Sequence, residues 1–175
     1  PGTYLVPSWI KKFRSLYPKV DVSIEIGDSK MILDKLLDHQ IDVAIIGLQQ
    51  DSNKLRFTTV ATDSLVLITP NEHPMIHSND PDLSQINQYE FVLREKGSGT
   101  RKVMEDYLSI HGYSLTGLKI ALSIGSTEAV IAAVEAGLGI SFISKLAALP
   151  AAKANRVQII DKFEPFHRNF YFSTL

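Results

Sequence analysis

Small polar residues at two turns carry most of the chemistry that this sequence offers. Ser98, Gly99 and Thr100 lie in a loop that runs directly into a helical pattern, and Ser126 and Thr127 open a second helical pattern. Hydroxyl groups beside the free N–H groups of a helix start suit a carboxylate, phosphate or sulfate. Each serine alone is more often an N-cap than a ligand contact, although a capped helix end can still face a ligand. The pattern therefore indicates anion binding and leaves plain capping open.

The glycines of this sequence do not form a nucleotide-binding motif. The segment 97–102 has the spacing GxG, but it lacks the third glycine of a dinucleotide fingerprint and the GK[ST] ending of a P-loop. Gly137 and Gly139 follow a predicted helix and precede a predicted strand, which reverses the Rossmann order. Gly137 is instead typical of a helix stop. No nucleotide or other cofactor is predicted.

Catalytic motifs are not visible in the sequence. It has no GxSxG elbow, no HExxH pattern and no cysteine. The five histidines are scattered: His39, His73, His77, His111 and His167. Only His73 and His77 share a polar loop, and without suitably spaced carboxylates they give little support to a metal site. We therefore expect no catalytic residue, no metal site and no enzyme activity.

The composition is that of a folded chain with little charge imbalance. The 175 residues are 45% hydrophobic and 21% charged, with a net charge of -1. A nucleic-acid-binding domain usually shows a basic stripe, and the short clusters 11–14 and 101–102 do not form one. No signal peptide is visible, and the longest apolar run, 129–134, is too short to cross a bilayer. We expect a cytoplasmic chain that itself holds neither DNA nor membrane.

The part of the chain before Pro70 alternates between helix and strand. Its predicted elements are a helix at 8–17, a strand at 20–26, a helix capped by Gly27–Ser29, and strands at 42–46, 57–61 and 65–69. The strict alternation of 20–26 is typical of a strand with one buried face. The continuous apolar run 42–46, which ends at Gly47, is typical of a parallel strand buried on both faces.

The same alternation starts again after Pro70, which marks a candidate boundary. The predicted elements are strands at 90–93, 118–124, 140–143, 157–160 and 169–172, and helices at 99–111, 127–136 and 144–152. In open α/β sheets ligands bind outside the carboxyl ends of strands, where helix N-termini point. The turns at 27–29, 95–100 and 125–127 have this position, and Arg101 could add positive charge at the second of them.

Seven short segments, taken in order, are similar to a known family. They are 1–7, 13–18, 27–29, 42–47, 97–101, 126–128 and 136–140. Together they resemble the effector-binding domain of LysR-type transcriptional regulators over nearly the whole chain. Each segment is weak alone, whereas the ordered set is specific.

The resemblance implies a fold and a site. The fold is α/β, with two Rossmann-like lobes joined by two crossover strands, like that of type II periplasmic binding proteins. Lobe I would comprise 1–68 plus 166–175, and lobe II would comprise 69–165. A small effector would bind in the cleft between the lobes. The implied effector contacts are Gly47, Ser98, Gly99, Thr100, Ser126 and Thr127.

The resemblance also implies partners. The family's N-terminal winged helix-turn-helix is absent from this chain, as is the first strand of lobe I, so DNA would be bound only through the missing domain. The first helix, with Lys11, Lys12 and Arg14 outward, would pair antiparallel with helix 127–136 of a second copy, and the full-length protein would form a tetramer. The four alanines of helix 127–136 could equally pack on their own sheet.

A solute-binding protein of an ABC-type uptake system shares this fold and is the alternative function. The sequence upstream of Pro1 would separate the two classes. A helix-turn-helix there indicates a regulator, whereas an apolar export segment or a lipid-attachment motif indicates transport.

Overall fold

The computed structural model describes residues 2–78, 82–164 and 166–175. The chain divides into two compact units. Unit 1 comprises Pro1–Ala61 with Asn169–Leu175, and unit 2 comprises Thr62–Arg168. The chain passes between the units within two long strands, β2 (Arg56–Thr69) and β7 (Phe166–Thr174). The predicted lobe limits fall elsewhere in the chain and remain a prediction.

Unit 1 contains helices and a short strand. These elements are α1 (Val6–Leu16), α2 (Ser29–Leu37) and β1 (Ala44–Ile46). Helix α2 begins as predicted, because the carboxylate of Asp28 accepts a hydrogen bond from the backbone N–H of Met31 at 2.8 Å. Its apolar side packs on β1 in a core of Ile32, Leu33, Leu36, Ala44, Ile46 and Leu55.

Two predictions for unit 1 are wrong. Residues 20–26 form no strand, and Val20, Val22, Ile24 and Ile26 are 40–64% exposed. A strand needs a neighbouring backbone for its hydrogen bonds, and no segment among the described residues pairs with this one. Strand β1 pairs antiparallel with β7 rather than parallel, and Val43 beside it is exposed, so the run 42–46 is not buried on both faces.

Strands β2 and β7 are longer than predicted. The sequence analysis placed separate strands at 57–61 and 65–69, whereas β2 runs through both. The intervening Thr62–Ser64 contains no glycine or proline to break the strand, and it places Asp63 at a buried position. Strand β7 likewise extends on both sides of the predicted 169–172.

Unit 2 follows the predicted alternation closely. Its elements are β3 (Glu90–Arg94), α3 (Gly99–Ile110), β4 (Lys119–Ile124), α4 (Thr127–Glu135), β5 (Ser141–Ser144), α5 (Lys145–Lys153) and β6 (Gln158–Ile160). Strands β3 and β4 are parallel, and the N-terminal ends of α3 and α4 follow them. Strand β2 pairs antiparallel with β5 and β6. The described part of the unit also contains short 3₁₀ turns at Pro74–His77, Leu83–Gln88 and Leu115–Gly117.

The glycines after α4 have a structural role, as the sequence order indicated. Gly137 has a φ of 82° and follows the last turn of α4, which confirms the predicted helix stop. Gly139 lies against β3, where a Cβ atom would stand 2.4 Å from the carbonyl oxygen of Glu90. The next residue, Ile140, donates its N–H to that same oxygen at 2.9 Å. Glycine thus allows the chain to reach β3.

The cores of the two units are separate clusters. In unit 2 the cluster joins β2, β3, β5 and α3 around Phe91 and Phe142, whose rings are 6.1 Å apart.

In the part of the chain that the structure describes, no helix is long and apolar enough to span a membrane.

Candidate functional site

The two predicted polar turns of unit 2 lie at one edge of the β3–β4 pair. Because the strands are parallel, with Arg94 opposite Ile124, their carboxyl ends meet there. The ladder continues past the strand, since Glu95 donates its N–H to the carbonyl oxygen of Ile124 at 3.1 Å. Helix α3 starts at Gly99 and helix α4 at Thr127. The structure therefore brings five of the six predicted contacts to one region of unit 2.

Ser98 and Ser126 are N-caps in this structure. The hydroxyl oxygen of Ser98 accepts from the N–H of Arg101 at 3.4 Å, and that of Ser126 accepts from the N–H of Ala129 at 3.1 Å. Ser98 is buried, whereas Ser126 is exposed. Gly97, with a φ of 106°, turns the chain into α3. Capping, which the sequence analysis left open, is thus present at both helix starts.

The two predicted threonines each receive a hydrogen bond from an arginine. The Nη1 group of Arg168 donates to Thr100 Oγ1 at 2.8 Å, and the Nη1 group of Arg94 donates to Thr127 Oγ1, also at 2.8 Å. A guanidinium group has donors and no acceptor, so in both contacts the threonine oxygen must be the acceptor.

Each of these arginines is held on its other side by a carboxylate. Arg168 donates from Nε and Nη2 to Asp63 Oδ2, at 3.0 and 2.8 Å. Arg94 donates from Nε and Nη2 to the two carboxylate oxygens of Glu95, both at 2.7 Å. We name the set Asp63, Arg168 and Thr100 the inner triplet, and the set Glu95, Arg94 and Thr127 the outer triplet.

The inner triplet is the more buried of the two. The side chains of Arg168 and Asp63 are 6% and 1% exposed, whereas those of Arg94 and Glu95 are 12% and 25% exposed. Burial lowers the pKa of Arg168; the charge of Asp63 and its hydrogen bond raise that pKa, and the nearby charge of Arg94 lowers it. Arg94 thus lies close enough to Arg168 for its charge to act on that guanidinium.

Sequence reasoning did not single out three residues of these triplets. Asp63 lay between two predicted strands, Arg94 directly after the predicted strand 90–93, and Arg168 directly before the predicted last strand. A signal was present in each case, because a charged residue inside a strand next to apolar neighbours needs a partner. Arg101 was expected to offer charge to a ligand, yet it donates to Glu105 at 2.7 Å and to the Arg94 carbonyl at 3.1 Å.

The remaining predicted contact, Gly47, lies in unit 1. It follows β1 directly and is buried in a bend. Its role in binding remains a prediction. A shallow surface hollow of about 490 Å³ lies along α1, lined by Pro7, Ile10, Lys11, Arg14, Ser15 and Pro18. That hollow belongs to unit 1 and contains none of the predicted effector contacts.

His73 has a local structural role. Its Nδ1 atom accepts from the N–H of Met75 at 3.3 Å and so caps the turn Pro74–His77, and its ring lies 4.3 Å from that of Tyr89. Burial lowers the pKa of His73. Within residues 2–78, 82–164 and 166–175, no group of three His, Cys, Asp or Glu side chains is arranged to hold a metal ion.

Known proteins similar to this chain include HTH-type transcriptional regulators. A family model described as LysR substrate binding domain matches residues 1–175. An uncharacterised HTH-type transcriptional regulator of Methanocaldococcus jannaschii is 36% identical over 160 residues, which is 91% of this chain and 54% of that protein. The HTH-type transcriptional regulator CbbR of Rhizobium meliloti is 35% identical over 171 residues, 97% of this chain and 54% of that protein. The chain thus spans about half the length of these curated relatives.

A solved structure confirms the predicted fold class. The CcmR regulatory domain of Synechocystis PCC6803, in complex with 2-PG, is similar with a TM-score of 0.86 and 26% identity, covering 99% of this chain and 83% of that one. Its likeness supports the α/β fold with two crossover strands. The relatives favour a regulator over the solute-binding protein that shares this fold.

Proposed function

Because the chain belongs to the LysR family of transcriptional regulators and matches its substrate-binding domain, we propose that it senses a small anionic metabolite through the helix starts of unit 2. Binding would modulate how the full-length regulator contacts DNA, through a domain outside this chain. The effector would be bound without any covalent bond being made or broken. The protein would act in the cytoplasm.

The observation that carries this proposal is the pair of helix starts at one strand edge. Helices α3 and α4 both begin beside β3 and β4, and each has a threonine in its first turn. Backbone N–H groups and the positive end of the helix dipole favour a negative group there. The similar CcmR domain was solved with 2-PG, which makes 2-PG a reasonable first probe. Gly47 is proposed as a contact from unit 1.

Effector binding alters a regulator only when two arrangements of the protein differ in affinity for the effector. We propose that the occupied and empty forms differ in this way. Strands β2 and β7, within which the chain passes between the units, are the segments through which such a difference would be transmitted.

Thermal unfolding of the 175-residue chain tests the proposal. We expect 2-PG and inorganic sulfate to raise the melting temperature, and a saturating ligand at a hundred times its Kd stabilises by about 2.7 kcal/mol. For a domain of this size that is about 5–10 °C. The double variant Thr100→Val with Ser126→Ala should lose most of the increase, whereas Thr116→Val, in a distant turn, should keep it. No stabilisation of the original chain, or equal stabilisation of the double variant, would refute the site.

We also propose that two copies associate through α1 and α4. Helix α1 leaves Phe13 and Leu16 exposed beside its basic residues. Helix α4 carries exposed Glu128 and Glu135, which also contact Arg156. Of the four alanines in the predicted helix 127–136, Ala133 is buried within unit 2, and Ala132 and Ala136 are exposed. Antiparallel pairing would cover the exposed apolar residues of α1 and would bring its basic residues near the glutamates of α4. The full-length protein would form a tetramer.

A further inference from the structure

Both threonines of the proposed site have the same polar surroundings. In the inner and the outer triplet, a carboxylate accepts from Nε and Nη2 of the arginine, and Nη1 of that arginine donates to the threonine oxygen. The two triplets use different strands and different helices, so the repetition does not come from one local motif.

This arrangement determines whether each threonine hydroxyl can donate or accept a further hydrogen bond. A threonine hydroxyl has one hydrogen to donate, and its oxygen already accepts from the guanidinium. Among the residues that the structure describes, no acceptor receives the hydrogen of Thr100 or Thr127. Thr69, also buried, shows the ordinary alternative, because its hydroxyl donates to the carbonyl oxygen of Pro70 at 3.1 Å. The two site threonines therefore have a donor left for a ligand.

We propose that Arg168 and Arg94 are positioning residues that fix the hydroxyls of Thr100 and Thr127 as hydrogen-bond donors toward the effector. The inference rests on the proposed function and concerns the same site. It predicts the chemistry of the bound group: a carboxylate, sulfate or fully ionised phosphate, which only accepts hydrogen bonds. An ammonium group, which only donates, would meet donors and would not bind.

The carboxylates explain why the arginines do not simply bind the anion themselves. Asp63 and Glu95 occupy the Nε and Nη2 donors, and they neutralise the charge of each guanidinium. The remaining Nη1 group is directed at a threonine. Arginine suits this task because its planar group presents donors in fixed directions, whereas a lysine ammonium cannot hold a carboxylate and a hydroxyl in the same geometry.

A double-mutant cycle on the outer triplet tests the inference, since these residues are less buried. Calorimetric titration with sulfate and with 2-PG would compare the original chain, Arg94→Gln, Thr127→Val and the double variant. If Arg94 acts through the hydroxyl, each single variant weakens binding roughly tenfold, as expected for a lost hydrogen bond to a charged group. The double variant should then bind no more weakly than Thr127→Val.

Three further comparisons make the cycle specific. Thr127→Ser keeps a hydroxyl and should retain most of the affinity. Lys102→Gln removes a cation from α3 whose ammonium group pairs with Asp106, and it should leave binding unchanged. Methylammonium, offered as a probe that only donates, should not bind the original chain.

The inner triplet is tested without breaking its buried ion pair. Thr100→Val should weaken sulfate binding roughly tenfold and Thr100→Ser should restore it, while both keep Arg168 and Asp63. This pair of variants does not depend on whether an arginine variant folds.

The outcomes separate this inference from the function on which it rests. Additive losses in the double variant, or full affinity in Thr127→Val and Thr100→Val, would overturn the positioning role while leaving anion sensing intact. If neither sulfate nor 2-PG bound the original chain, the proposed function would fail and this inference with it.

Discussion

Arg168 and Asp63 form a buried ion pair between the two strands within which the chain passes from one unit to the other. Nη2 of Arg168 lies 2.8 Å from Oδ2 of Asp63, and Asp63 is in β2 while Arg168 is in β7. One unit boundary follows Ala61 and the other follows Arg168. Asp63 lies within two residues of the first boundary, and Arg168 lies at the second. The same guanidinium contacts Thr100 at the start of α3. One ion pair thus connects the strands shared by the units to the proposed site.

Removing one partner of this pair should destabilise the chain severely. Asp63→Asn leaves a buried guanidinium without its counter-charge, and the expected loss in unfolding free energy is about 3–5 kcal/mol. Glu95→Gln is the matched variant in the outer triplet, where greater exposure limits the expected loss to about 1 kcal/mol or less. Urea unfolding measures both values. Similar losses for the two variants would contradict the difference in burial.

Gly139 should not tolerate a side chain. In Gly139→Ala the new Cβ would meet the Glu90 carbonyl oxygen at 2.4 Å, and the φ of 148° is strained for any other residue. We expect a loss of about 2 kcal/mol or more in unfolding free energy. Gly125→Ala is the control, because nothing lies within 4 Å of its Cβ position. A Gly139→Ala chain as stable as Gly125→Ala would show that α4 and β3 are connected differently.

His73 should make stability depend on pH. Burial lowers its pKa below the ordinary 6.5, so the unfolded chain takes up a proton more readily than the folded chain. This contribution is therefore fully present above pH 6.5, and it is lost as the pH falls from there through the folded pKa. Protonation would also remove the acceptor that caps Met75.

The variant His73→Asn isolates this effect, since asparagine is a good cap and does not titrate. Its stability should match that of the original chain well above the histidine pKa and should fall less on acidification. Denaturant midpoints measured across this range give the comparison. Identical acid dependence of the two chains would rule out His73 as the source.

The proposed pairing of α1 with α4 predicts which exposed alanines matter. Ala132→Glu should weaken self-association more than about tenfold, because it buries a carboxylate near Glu128 and Glu135. Ala154→Glu, at an exposed alanine after α5, should have no effect. Sedimentation equilibrium measures both association constants. A strict monomer at high protein concentration, or equal effects of the two variants, would contradict the pairing.

The helices and strands of unit 2 could be predicted because each one carries its own signal. Helices α3 and α4 have a serine cap and an apolar side at helical spacing, and Gly137 ends α4. The strand predicted at 20–26 was wrong because its formation depends on more than a local signal. Its alternation is a genuine strand pattern, but alternation says nothing about whether another backbone lies beside it. The antiparallel partner of β1 comes from β7, over a hundred positions later in the chain.

The arrangement at the candidate site was predictable where it is local and not where it depends on distant pairing. Thr100 and Thr127 were predicted as contacts from their place at helix starts. Arg168 contacts Asp63 across 105 positions, and no spacing rule links the two. Arg94 is closer in sequence to the predicted contacts, because it is the last residue of β3, the strand that leads into the loop. A charged residue beside buried apolar neighbours is a useful sign of a polar partner.

The central claim, that anions bind at the starts of α3 and α4, is tested most directly by a ¹H–¹⁵N NMR titration. Adding 2-PG, and separately sulfate, to the labelled 175-residue chain should shift the backbone amides of 99–101 and 127–129 most strongly. Those shifts should shrink in the double variant Thr100→Val with Thr127→Val. Shifts concentrated instead along α1, or unchanged amides at both helix starts, would contradict the account.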